Sequence, residues 1–381
     1  MSRPIDIVVD ARMLLPYQTG VGSYLMGLAS GLCSSPGNHR VEFWLQAGLP
    51  VDHPVWSLGN ERLILRRSTI SHMSLSQHWV IPAELRRRKP DLFHYPHFDL
   101  PWGVPGPVIA TIHDLKYIAR PDFFPRMGKT KRLVMLAMMR HTVRRAQRVI
   151  AVSESTRRDV IGWLGAEPER VRVISEGVDP IYFERSTQVE LDCLLERYRL
   201  AQPYFLFVGE RRPHKNLVGL LNAYQDFCRS ISRPYLLVIA GKRYAEYTEP
   251  ERLAEELGVS QSVRFLEYVP QADLPLLYQG AEAFILLSHY EGFGIPVLEA
   301  MASGVPVVVA RNTALPEVVG EAGLQVPADE PQEVAEALRR LTSGDSLRQD
   351  FIYRGLARAQ QFNWVRCARE TLALYQEVAD R

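Results

Sequence analysis

Two carboxylates, Glu291 and Glu299, stand with seven residues between them, and Gly-Phe-Gly-Ile-Pro at 292–296 fills most of the gap. Gly292 and Gly294 allow a backbone to approach a ligand closely. Pro296 suits the first turn of a helix, where its missing N–H is not needed. A helix start aims free N–H groups and a positive dipole end outward, which favours phosphate. Lys215, in Arg-Arg-Pro-His-Lys-Asn at 211–216, can neutralise a phosphate as a point charge. Arg211, or Arg212 beside it, can grip one with two parallel hydrogen bonds. His113 and Asp114 end an apolar run, where open α/β sheets place ligand contacts. Gly20 and Gly22, in Thr-Gly-Val-Gly at 19–22, offer a further close approach to phosphate, or simply a tight turn. The third glycine of a dinucleotide fingerprint is replaced by Leu25.

The elements that must position these residues are short apolar runs alternating with helical stretches. Residues 283–288 and 305–310 read as buried parallel strands on either side of a helix that starts at Pro296 and stops near Gly304. Runs at 5–10, 41–45, 63–65, 91–95, 108–114 and 148–153 carry the same rhythm before residue 182, and 204–209, 235–241 and 263–269 carry it afterwards. Gly241 and the segment of Tyr268 and Val269 end two of these runs. The pattern predicts an α/β chain of two domains, at 1–182 and 200–361, with 180–203 as the connection. Ser153 reads as a helix cap, 23–32 as the first helix, and 346–379 as a terminal helical stretch.

Bulk properties exclude several classes. The chain has 381 residues and a net charge of +2, which is not a nucleic-acid polycation. No apolar run approaches the roughly 20 residues of a membrane span, and the first residues carry no secretory h-region. Four scattered cysteines, Cys33, Cys193, Cys228 and Cys367, fit a reducing cytosol. His94, His97 and Asp99 match no common helix-borne zinc pair, so no metal site is expected. Gly128-Lys-Thr lacks the earlier glycine of a phosphate-binding P-loop, since that position is Phe123. Residues 129–148 hold seven cations around an apolar stretch and no acidic residue; this predicts a helix that either lies on an anionic membrane or packs with a basic solvent face. Arg86-Arg-Arg-Lys89 is a second basic cluster.

The string at 289–299, His-Tyr-Glu-Gly-Phe-Gly-Ile-Pro-Val-Leu-Glu, runs into Ala-Met-Ala-Ser-Gly-Val-Pro-Val-Val-Val at 300–309. It closely resembles the nucleotide-sugar site of the retaining glycosyltransferases of family 4, which carry a Glu-x7-Glu motif. The resemblance covers nearly the whole chain and is strongest at 208–323. It implies the GT-B fold, two Rossmann-like domains, with a terminal helix at about 362–381 returning to the first. It implies that Glu299 binds ribose, that Glu291 contacts the transferred sugar, and that the 293–295 amides face sugar and diphosphate. It further implies that Gly20 and Gly22 approach the diphosphate, that Lys215 with Arg211 or Arg212 stabilises the leaving group, that Tyr268 and Val269 lie by the base, and that His113 contacts the sugar. Lys215-Asn216 fits the family pattern; Glu210 departs from the arginine that often follows the glycine. The implied chemistry needs no metal or other cofactor. Asp10-Ala-Arg and Thr19-Gly-Val-Gly look most like bacterial members that build surface polysaccharides, often from GDP-mannose, on a glycan or lipid-linked acceptor. A nucleotide-sugar epimerase on the same fold and a non-catalytic sugar-nucleotide-binding partner stand as the alternatives.

Overall fold

The computed structural model describes residues 4–17, 19–37 and 39–380. The chain divides into two compact units: Met1–Gly177 with Asn363–Arg381, and Val178–Phe362. Each is a doubly wound α/β layer built on one parallel sheet.

Unit 1 carries strands β1 (Ile5–Asp10), β2 (His39–Gln46), β3 (Leu63–Ser68), β4 (Leu92–Tyr95), β5 (Val108–Ile112), β6 (Arg148–Ala151) and β7 (Val171–Val173). Their order is β3-β2-β1-β4-β5-β6-β7, so the winding direction reverses between β1 and β4. Every pairing is parallel. A parallel sheet is covered on both faces, which is why its strands are nearly continuous apolar runs. Along β1, Ile7 and Val9 enter one core with Tyr24, Leu28 and Trp364. Val8 points the other way, among Ile81, Phe93 and Met139.

The first core is closed by the helices Gly20–Ser34 and Trp364–Ala379. Their contact depends on missing side chains: a Cβ on Gly27 would lie 2.0 Å from the Trp364 ring, and one on Gly31 would lie 2.2 Å from the Trp364 carbonyl oxygen. The first helix begins earlier than residue 23. Gly20 and Gly22 occupy its first turn, and the Gly22 N–H donates to Thr19 Oγ1 over 3.0 Å. Ser153 caps the Glu154–Leu164 helix, accepting from the Thr156 N–H.

Unit 2 carries β8 (Tyr204–Val208), β9 (Leu236–Ala240), β10 (Val263–Leu266), β11 (Ala283–Leu286), β12 (Val307–Ala310) and β13 (Leu324–Val326). Their order is β10-β9-β8-β11-β12-β13, reversing between β8 and β11. The ends of β8 and β9 come so close that a Cβ on Gly241 would meet the Gly209 carbonyl oxygen at 1.9 Å. β10 stops at Leu266, so Tyr268 and Val269 lie beyond the strand. Residues 180–203 are no bare connection. They contribute the Pro180–Phe183 turn and the Gln188–Arg197 helix, whose start is locked by a Thr187–Glu190 capping box. The division falls at 177/178, where the Val178 N–H donates to the Phe362 carbonyl within unit 2. Among the described residues, no helix is long and apolar enough to cross a membrane.

Candidate functional site

In an open α/β sheet, ligands sit outside the carboxyl ends of the strands where the order reverses. In unit 2 that point lies between β8 and β11. The chain leaving β8 carries Lys215, and the chain leaving β11 carries Glu291. Lys215 Nζ donates to Glu291 Oε1 over 2.5 Å, with both side chains mostly buried. Ser288 Oγ donates to the same oxygen over 2.7 Å, and the Glu291 N–H donates to Thr313 Oγ1 over 3.1 Å. Carboxylate and ammonium are thus held across the switch point by partners from both sides.

Gly294 follows at φ +114°, in the left-handed region, and caps the Ile295–Ala302 helix. The N–H groups of Phe293, Gly294 and Ile295 find no acceptor among the described residues. A helix start with free donors is an anion site in the making, and here it adjoins a lysine.

Glu299 lies one turn into this helix and is buried. Its Oε2 accepts from the Tyr278 hydroxyl at 2.8 Å, and the Tyr182 ring stands edge-on to Tyr278 at 5.7 Å. Burial pushes its carboxyl up to about 7, against the hydrogen bonding that opposes the shift. No hydrogen bond joins the two glutamates, so they form separate polar sites on one helix and its leading loop.

Arg211 is held from one side only, its Nη2 being buried without a hydrogen-bond partner. The N–H of Arg211 donates to the Lys242 carbonyl, extending the β8–β9 pairing and turning the side chain inward. It is 1% exposed, bonded to Glu251 at 2.9 Å and to the Gly241 carbonyl at 3.2 Å, and lies over the Phe265 ring. Arg212 is held by Glu246 and stacks on Tyr244 with its guanidinium 3.3 Å from the ring centroid. Lys215 therefore stands as the cation nearest Glu291, while Arg211 braces the end of β9. Tyr268, 70% exposed past β10, presents a free aromatic face.

In unit 1, His113 leaves β5 with Nδ1 3.2 Å from Glu176 Oε1 and its ring edge-on to Tyr24 at 4.8 Å. Its Nε2 is buried without a hydrogen-bond partner. Asp114 turns to Lys116, taking its Nζ at 2.8 Å, an orienting and local role. Glu176 escaped the sequence reading; the only signal was an acidic residue directly after an apolar run, at the turn before Gly177. His94 separates from His97 and Asp99. It is buried between Tyr375 (2.6 Å) and Thr111 (2.8 Å), and burial lowers its pKa to about 3, leaving it a neutral core residue. His97 and Asp99 instead gather with His72.

Comparison with known proteins agrees with this geometry. A family model described as glycosyl transferases group 1 matches residues 197–358, and one described as glycosyltransferase family 4 matches residues 19–181. The chain is 35% identical over 295 residues to O-antigen chain mannosyltransferase B of Escherichia coli, covering 77% of this chain and 76% of that protein. It is 32% identical over 295 residues to a D-inositol 3-phosphate glycosyltransferase of Acidothermus cellulolyticus, covering 72% of this chain and 62% of that protein. Among solved structures it resembles HepE of Anabaena in complex with UDP and glucose, with a TM-score of 0.77, 18% identity, and coverage of 98% and 100%. With the lysine–glutamate bridge and free helix start at the switch point of its second sheet, the chain belongs to the family 4 glycosyltransferases of the GT-B fold.

Proposed function

We propose that this glycosyltransferase moves a mannosyl unit from GDP-mannose to a glycan or lipid-linked acceptor in surface-polysaccharide synthesis, with retention of anomeric configuration. The observation that carries the reading is the Lys215–Glu291 bridge beside the free 293–295 amides. Breaking the sugar–phosphate bond places negative charge on the leaving diphosphate and positive charge on the anomeric carbon. Lys215 and the helix start supply fixed positive potential for the first, and preorganised donors of this kind lower the barrier electrostatically. Glu291, once phosphate competes for Lys215, is free to take a hydroxyl of the transferred sugar. Glu299, which already accepts a hydroxyl from Tyr278, suits ribose. The anomeric bond to phosphate breaks, a bond to the acceptor oxygen forms on the same face, and the acceptor proton leaves with the diphosphate. A lysine and a helix end carry the charge, so the reading assigns no metal or further cofactor. Support for mannose is the name of the Escherichia coli relative.

Purified protein should be stabilised by GDP and GDP-mannose more than by UDP, dTDP or ADP and their sugars. Ligand at about a hundred times its Kd raises stability by ~2.7 kcal/mol. Preference for another nucleotide would replace mannose as the sugar. Nucleotide binding without transfer to any acceptor would favour the non-catalytic reading, and conversion of the donor sugar without an acceptor would favour the epimerase.

A peripheral contact with the inner face of the plasma membrane forms part of this proposal. The Lys129–Arg145 helix buries Met135 and Met139, yet leaves Leu133 66% and Val134 54% exposed among its cations. Trp102, 57% exposed, stacks on His141 of the same helix. Vesicles rich in phosphatidylglycerol should pellet the protein at low salt, and Leu133→Glu with Val134→Glu should abolish it; equal pelleting of that variant would refute the contact.

A further inference from the structure

Asp99 lies just past β4 in unit 1 and is wholly buried. Its Oδ1 accepts from the Tyr95 hydroxyl at 2.9 Å and from His97 Nδ1, and its Oδ2 accepts from Gln77 Nε2 at 3.0 Å. His72 Nε2 stands 3.4 Å from Oδ1. None of these partners carries a fixed charge. The guanidinium of Arg12, also wholly buried, is committed to Asp10, donating to both of its oxygens through Nε and Nη2. Among the described residues, no lysine or arginine bonds to Asp99. A carboxylate taken out of water without a cation beside it is costly, and buried charges are ordinarily paired or bound to a metal.

Two imidazoles and this carboxylate make a ligand set. One ligand atom from each of His72, His97 and Asp99 falls within 4.8 Å of the other two. Bonds of about 2.0–2.2 Å to a tetrahedral zinc hold ligand atoms about 3.3–3.6 Å apart, and the spacing of His72 and Asp99 already meets this. His97 Nδ1 lies closer to Asp99 than that and must draw back as an ion enters between them. The His72 and His97 side chains are 11% and 12% exposed, which leaves an outer side for entry and for a water as fourth ligand. The expectation of no metal site weighed His94 with His97 and Asp99; folding puts His72 in the place of His94.

The surroundings fix these groups. Gln77 Oε1 accepts from Arg12 Nη2 at 3.2 Å and from the Met73 N–H at 3.2 Å, while Arg12 Nη1 donates to the Ser71 carbonyl at 3.1 Å. The backbone is thus pinned on both sides of His72, by the same two residues that hold the far oxygen of Asp99. Outer hydrogen bonds of this kind orient metal ligands.

We propose that His72 Nε2, His97 Nδ1 and Asp99 Oδ1 form a Zn2+ site, oriented from behind by Gln77 and Arg12. The ion neutralises Asp99 and ties the 70–73 segment to the loop after β4. Gln77 is a positioning residue that acts through Asp99 and His72. The site goes beyond the transferase reading and does not depend on it.

The test uses the full chain, stripped with EDTA, and Zn2+ alone. Titration calorimetry should show one strong site per chain. Zinc-edge X-ray absorption of the loaded protein should show nitrogen and oxygen neighbours at about 2.0–2.2 Å and no sulfur at about 2.3 Å. His72→Ala should lose the site, and Gln77→Ala, which touches no metal, should weaken it about 10–100-fold. The absorption spectrum needs no variant, so the proposal remains refutable should either variant not fold. It is overturned by a wild type that takes up no Zn2+, or by His72→Ala binding as tightly as the wild type. Sulfur neighbours overturn it too, since they would put the ion on cysteines such as the exposed Cys193. Zn2+ bound as expected by a protein that GDP does not stabilise would support this site and fault the donor reading alone.

Discussion

At the scale of single residues, Lys215 carries the heaviest burden. Its ammonium has one close carboxylate partner, and a phosphate with more charge and more acceptor oxygens competes for it. Lys215→Ala should lower kcat by roughly 10²–10³-fold, the usual cost of removing one preorganised donor to a developing charge; a loss confined to KM would show binding alone. Glu299 makes a different prediction. Its carboxyl lies near 7 in the folded protein, above its ordinary value. Between its unfolded and folded pKa the native state therefore binds more protons than the unfolded chain. Its contribution is whole at low pH and is lost as pH rises through about 7, amounting to about 3 kcal/mol by linkage. Urea titrations from pH 5 to 8 should show the wild type losing that stability relative to Glu299→Gln; parallel curves would refute it. A ribose hydroxyl bonded to the ionised form would also make nucleotide binding tighten as pH rises through the same window.

At the scale of elements, the loop before the Ile295–Ala302 helix depends on one conformation. Gly294 sits at a positive φ, and a Cβ there would also meet Leu315 Cδ2 at 2.9 Å. Gly294→Ala should cost on the order of 1–3 kcal/mol and abolish stabilisation by nucleotide, since the free amides would move; retained stabilisation would refute their role. In unit 1, Gly31→Ala should push away the backbone of Trp364, seen as faster hydrogen exchange across the Trp364–Ala379 helix. Strands and helices of this kind are legible in sequence because a parallel sheet buried on both faces writes its strands as apolar runs. Side-chain partners far along the chain are not. The core position of His94 was hidden because nothing near it in sequence reveals Tyr375, 281 residues away. The brace on Arg211 was hidden in the same way, since Glu251, which holds its Nη1, lies forty residues on. The Glu291, Gly294 and Glu299 pattern was legible because helix start, turn and carboxylates are local, while Glu176 and the Arg12–Gln77–Asp99 relay were hidden because folding alone joins them.

At the scale of the whole molecule, two sheets with separate cores make two cooperative units. Calorimetry should resolve two transitions, and GDP should raise the one belonging to unit 2, since a ligand stabilises only the unit that binds it. A single transition shifted as a whole would show the units coupled.

The Trp364–Ala379 helix, seated in the notch left by Gly27 and Gly31, sets an order of birth. Unit 2 is contiguous in the chain, from Val178 to Phe362, and is complete once those residues clear the ribosome. Most of unit 1 is synthesised before unit 2, yet its closing piece is synthesised only after it. Its first core, with Tyr24 and Leu28 facing the place of Trp364, must wait through the translation of all of unit 2. At ~5–20 residues per second that is roughly ten to forty seconds of exposed apolar surface. The half of the enzyme that emerges first is thus the one that chaperones have the longest opportunity to hold.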